Sequence, residues 1–344
     1  MTGKQRAILY SLLFIGLLLS ACDGNKPLED SDVAVVSETS TTGESTGSSD
    51  ADSELTGKQT LIIANTGGCS KIAFTMIENS NHEIFTVCPD GSQLSKLTDD
   101  PAEDIQPAWS PDGTKIAFTS NRSGSDQIYL ISEESDIPIQ LTVDYQNDLP
   151  VWLPDGKKLA FRTNDGSGLW WWRILDIEDS QIIQFSEPSY DFFFQTPAWS
   201  PDGNSIAYMS LIEQQSRNDG SSQIHVKNIN GTNDRALTND LWANMKPIWS
   251  PDGKRIAFIS ERDGTYNSFA LYVMNNDGSD VRRLTLPVYS EEVTFSWSAD
   301  GEQIAIGNDF SLSGISIIDV EAGTSRDLLD GKVADKETSP SWQP

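Results

Sequence analysis

Beyond its carboxylates and hydroxyls, the chain holds two histidines and three cysteines. A metal-dependent lyase needs clustered histidines, and His82 and His225 are far apart in sequence. One stretch, Gly43-Glu44-Ser45-Thr46-Gly47, fits the G-x-S-x-G pattern of serine hydrolases. It has no strand before it and no helix after it, so the exposed nucleophile of that motif has nothing to hold it. Asn275-Asn276-Asp277-Gly278-Ser279-Asp280 looks like a calcium loop, but it lacks a downstream bidentate carboxylate and flanking helices. It reads as a hairpin turn. No catalytic residue, metal site or cofactor is expected, and the chain reads as a non-enzyme.

The cysteines divide between two tasks. Lys4 and Arg6, the apolar run Ile8 to Leu19 and the small residues before Cys22 form a secretory signal over residues 1–21. Leu19-Ser20-Ala21-Cys22 resembles a bacterial lipobox, which implies diacylglyceryl attachment at Cys22 and cleavage before it. Asp23 resembles an inner-membrane retention signal. These features place the protein in the bacterial cell envelope, lipid-anchored and facing the periplasm. In an oxidising compartment Cys69 and Cys88 are expected to pair, the alternative being two buried free thiols. They flank two strands that would turn near Asn79 and Ser80, about one residue out of opposition.

Residues 22–58 are rich in Ser, Thr, Gly, Asp and Glu, with too few apolar groups to offset ordering entropy, so they read as a disordered lipid-anchored linker. Residues 59–344 are different. Trp109-Ser110-Pro111-Asp112-Gly113, followed by Ile116-Ala117-Phe118, recurs with small changes at Trp152, Trp199, Trp249 and Trp297. The tryptophan spacings are 43, 47, 50, 48 and, to a last Trp342, 45 residues. Each unit holds several short strands, an asparagine- or aspartate-glycine hairpin turn, and in most cases a closing Leu-Thr pair such as Leu141-Thr142. The first unit lacks the Trp phrase, and the last ends at Ser341-Trp342-Gln343-Pro344. Each end supplies what the other lacks. The reading is an all-β, six-bladed β-propeller in which the C-terminal strand completes blade one.

The repeated phrase resembles the TolB-type propeller repeats of bacterial envelope proteins over residues 60–344. The resemblance implies the six-bladed fold and a role in binding other envelope proteins. The α/β domain that precedes the propeller in that family has no counterpart here; a tether of about 36 residues stands in its place.

Charge narrows the partner. There are 51 acidic and 24 basic residues, net −27, and loss of Lys4 and Arg6 with the signal deepens this to −29. Such a surface repels nucleic acid and anionic lipid and suits a basic protein partner. A monomer is expected.

The Trp and turn residues read as structural. The candidate binding positions lie in the loops that lead into each Trp strand, which a propeller gathers around one mouth of its channel. Five residues before the tryptophans stand Asp104, Asn147, Phe194, Asn244, Glu292 and Glu337, with Asp148 adjacent. This partial ring of carboxylates and amides suits a cation or an incoming Lys or Arg. The third unit adds Leu169-Trp170-Trp171-Trp172, read mainly as core. Tyr190-Asp191-Phe192-Phe193-Phe194 reads as an exposed apolar recognition patch. The leading expectation is a protein- or peptide-binding scaffold. The alternatives are carbohydrate or peptidoglycan binding through the aromatic loop and, more remotely, a polysaccharide-lyase-like enzyme.

Overall fold

The computed structural model describes residues 68–186, 196–211, 222–263, 268–287, 293–307, 314–329 and 339–344. The segments expected to be a signal and a tether, with Cys22, lie outside them. The described residues form six four-stranded antiparallel sheets and no helix. Blade two shows the plan from the axis outward: Asp104–Trp109, Ile116–Ser120, Gln127–Ser132 and Ser135–Gln140.

Blade one joins the two ends of the propeller. Its order is Ser341–Trp342, Ile72–Glu78, Asn81–Val87, Ser95–Lys96, with Trp342 opposite Ile72. Gln343 extends the joint. Its backbone N–H donates to Lys71 O at 2.7 Å, its Oε1 accepts from Lys71 N at 2.9 Å, and its Nε2 donates to Gly113 O at 2.8 Å.

The Trp-Ser-Pro-Asp-Gly phrase is a self-satisfied turn. Ser110 Oγ donates to Asp112 Oδ1 at 2.6 Å and accepts from Lys115 N at 2.9 Å, while Gly113 N donates to Ser110 O at 2.8 Å. The same bonds recur at Ser200, Ser250 and Ser298. Gly113 has φ +67°, a left-handed conformation that a side chain would strain. The tryptophans tie blades together: the indole N–H groups of Trp152, Trp249 and Trp297 donate to Ala108 O, Ala198 O and Ile248 O of the preceding blade. Around them the apolar core lies between sheets; Ala73 and Ile84 of blade one pack with Trp109, Ile116 and Phe118 of blade two.

The Leu-Thr pair has a similar logic. Thr98, Thr142, Thr238 and Thr285 each accept a backbone N–H from the third strand, at 2.9–3.0 Å. Blade three lacks the pair, and Ser186 does this work for Trp172 N. In the Trp run, Trp171 and Trp172 are buried and Trp170 carries the Arg162 guanidinium on its face at 4.2 Å.

Cys69 and Cys88 are bonded, with Cα atoms 5.7 Å apart, within the usual range for a disulfide. The hairpin turns at Asn79-Ser80 as expected. Its register sets Ile72 against Val87, so Lys71 falls opposite Cys88. Cys69 therefore stands two residues out of opposition rather than one.

Candidate functional site

Three of the pre-Trp positions, Asp104, Asn147 and Asn244, are fully buried, and neighbouring Asp148 nearly so. Arg122 Nη2 donates to both oxygens of Asp104, at 2.9 and 2.7 Å. Arg162 holds Asp148 through two nitrogens, at 2.8 and 2.5 Å. Asn147 donates to Gln127 Oε1 and accepts from Thr163 Oγ1. Asn244 bonds Ser222 O and Asp240 Oδ1 and accepts from Arg262. Burial pushes the Asp104 and Asp148 carboxyls up, and the facing guanidiniums pull the other way. These side chains form the closed footing of the loops rather than an open ring at the mouth. Spacing locates a residue along a strand; it does not say what covers it. Glu292, Glu337, Tyr190, Phe192, Phe193 and Phe194 lie outside the described residues.

Arginine also packs these footings. The Arg122 guanidinium lies 5.6 and 5.0 Å from the ring centres of Phe118 and Tyr129, and Arg262 sits 5.2 and 5.0 Å from Phe258 and Tyr272.

Three of the loops present large apolar side chains outward. Val143 is 83% exposed, Leu241 66% and Leu286 76%, and Tyr145 and Trp242 are exposed beside them. All five lie between an outer strand and the inner strand of the next blade, hence at one end of the ring. The display is braced. The Tyr145 ring meets Trp171 edge-on at 5.9 Å and carries Arg173 at 5.6 Å, and its carbonyl accepts from Gln127 Nε2 at 2.7 Å. Asp240 Oδ1 accepts from Trp242 N at 3.1 Å, and Arg262 holds the same carboxylate at 3.0 Å. Sequence reasoning passed over these residues. The available signal was a large apolar residue shortly after Leu-Thr, where a polar loop is the norm.

The inner strands enclose a cavity of about 570 Å³ lined from all six blades. Two residues before each tryptophan, Pro107, Pro150, Pro197, Pro247 and Pro340 ring it, with Phe295 in the sixth place. Prolines cannot donate a backbone hydrogen bond, so Pro107, Pro150 and Pro247 sit where their inner strands bulge, and Pro197 and Pro340 stand just before theirs begin. The registers shift between Ile105 and Ala108, Asp148 and Val151, and Met245 and Ile248. The bulges put Gln106, Leu149 and Lys246 at φ +56°, +52° and +53°.

A family model described as the TolB beta propeller domain matches residues 64–215 and 174–344. The chain belongs to the TolB β-propeller domain family. It is 38% identical to a Protein TolB homolog of Chlorobium luteolum over 61 residues, 18% of this chain and 14% of that protein. It is 45% identical to Dipeptidyl-peptidase 5 of Porphyromonas gingivalis over 49 residues, 14% of this chain and 7% of that protein. The chain thus matches less than a fifth of the length of these curated relatives. In three dimensions it is similar to TolB from Acinetobacter baumannii, with a TM-score of 0.63 and 21% identity over 80% of this chain and 67% of that one. That likeness speaks to the TolB-like fold.

Proposed function

We propose that this TolB-like propeller is a non-enzymatic protein- or peptide-binding scaffold of the bacterial cell envelope, anchored by lipid on Cys22 and facing the periplasm. The observation that carries the reading is the set of exposed apolar side chains at one end of the ring, Val143, Tyr145, Leu241, Trp242 and Leu286, with the Tyr145 ring braced by Trp171 and Arg173. Apolar and aromatic groups held in place before binding lose little freedom on docking, which favours a protein surface. The acidic surface favours a partner with basic residues around its apolar contact. Both histidines are already engaged, His82 with Glu103 in blade one and His225 with Asp234 at 3.0 Å in blade four. They stand in separate blades and so do not form the cluster that a metal-dependent lyase needs.

The test is cross-linking and pull-down from envelope extract with the full chain and with Leu241→Ala/Trp242→Ala. A defined protein recovered by the first and lost with the second supports the reading. Equal recovery with both overturns it. Tyr145 and Trp242, two aromatics at the same end, favour a glycan as the second reading. Glycan affinity would fall in the same variant but stay nearly constant with salt, whereas a basic protein would weaken as salt rises.

A further inference from the structure

The six blades differ at their outer strands. Four carry a cation there: Lys96 in blade one, Arg235 in blade four, Arg282 and Arg283 in blade five, and Arg326 in blade six. Charge on an edge strand is a common guard against unwanted pairing. These cations are also engaged locally; Lys96 reaches Glu78 at 2.9 Å, Arg235 donates to Asn276 O at 2.9 Å, and Arg282 reaches Glu321 at 3.2 Å.

Blades two and three, which are neighbours, lack this guard. The outer strand of blade two, Ser135–Gln140, is six residues long where the others have two or three. Its Ile137 and Ile139 are 76% and 61% exposed, and Ile183 in the outer strand of blade three is exposed as well. Counted back from the closing Leu-Thr, Ile139 takes the place that Arg235 and Arg282 hold in blades four and five. Acidic turns precede both strands: Glu133-Glu134 before the first, where Glu133 pairs with Lys71 at 2.6 Å, and Glu178-Asp179 before the second, all exposed.

We infer that the outer rim of blades two and three is a second docking surface, distinct from the loop end, for a segment of another protein with apolar residues flanked by Lys or Arg. The isoleucines supply the apolar contact and the acidic turns select the charge. A second copy of this chain would bring the same acidic turns and a net charge of −27 against them, and an anionic lipid surface is repelled likewise. Pro138 has no N–H to offer, so the segment docks through side chains and does not extend the sheet.

The probe is a fluorescein-labelled, acetylated peptide of alternating valine and lysine, titrated by fluorescence anisotropy against the full chain. Ile137→Ser/Ile139→Ser should weaken binding about tenfold. Glu133→Gln/Glu134→Gln should weaken it too and flatten its salt dependence. Leu241→Ala/Trp242→Ala should leave it unchanged, so failure here and failure of the loop-end reading are told apart. A melting temperature matching the parent certifies each variant; if the double isoleucine variant fails to fold, Ile139→Ser alone and Ile183→Ser alone replace it. Equal binding by the isoleucine variants overturns the inference. So does equal binding of a glutamate-valine peptide, adsorption to phosphatidylglycerol vesicles, or self-association lost with the isoleucines.

Discussion

Arg122 closes on Asp104 with one nitrogen shared between both carboxylate oxygens, at 2.9 and 2.7 Å, beneath the loop that enters blade two. The carboxylate is fully buried, so the guanidinium is the condition of its charge. Arg122→Met should cost about 3–5 kcal/mol by leaving that charge unpaired. Asp104→Asn combined with Arg122→Met should regain most of the loss, because an amide is tolerated at this position: Asn147 occupies it in blade three, bonded to Gln127 and Thr163. Chemical denaturation of the single and double variants measures both.

The closing strand is short, yet it holds the first blade's inner edge. Trp342→Ala removes an almost fully buried indole and should destabilise the propeller by about 3–5 kcal/mol. For a domain of this size the melting temperature should fall by about 10 °C. Removal of residues 339–344 should do more, since the hydrogen bonds of Gln343 to Lys71 and Gly113 go as well. An unchanged melt in either case would mean that the ring does not depend on its latch.

The Cys69–Cys88 bridge spans a sequence separation of 19 residues beside that latch, where Ser70 donates to Gln343 O. Constraint of the unfolded chain by a loop of that size is worth about 3 kcal/mol. Cys69→Ser/Cys88→Ser should lose about that much in urea. Added reductant should lower the parent to the level of the variant and leave the variant unmoved.

The turn aspartates make the fold sensitive to acid. Hydrogen bonds from the neighbouring serine hydroxyls hold the Asp112, Asp202, Asp252 and Asp300 carboxyls below their ordinary value. A group depressed in the folded state contributes stability that is complete above its unfolded pKa, about 3.9, and is lost as pH falls through the lower folded value. Asp104 and Asp148, raised by burial, act in the opposite sense. Ser250→Ala should therefore raise the Asp252 pKa toward the ordinary value and shrink its share of the acid-induced loss. Carboxyl titration by NMR, with urea melts at about pH 5 and about pH 3, reads both effects.

The sequence was most legible where one residue type does one local job in every blade. Trp109, Ser110, Asp112 and Gly113 form a turn from their own hydrogen bonds, so their recurrence announced the blades before any sheet was seen. The missing phrase at one end and the spare Trp342 at the other announced closure. The candidate site was legible in part. Asp104, Asn147 and Asn244 were found by spacing, but their burial depends on side chains 16 to 22 residues away, such as Arg122, Thr163 and Ser222. The apolar display was not legible, because Val143 and Leu241 read as core letters until the loop that carries them is seen to stand outside the sheets.

The sheet of blade one also sets an order of events during synthesis. Ile72 waits for Trp342, so the strands of the other five blades are all made before that pairing exists. Until then, a growing chain carries Ile72–Glu78 with its inner side open and a ring one strand short. The chain is therefore most vulnerable to mispairing in the interval before Trp342 docks, and any factor that shields Ile72 and Phe74 during that interval should raise the yield of closed propeller.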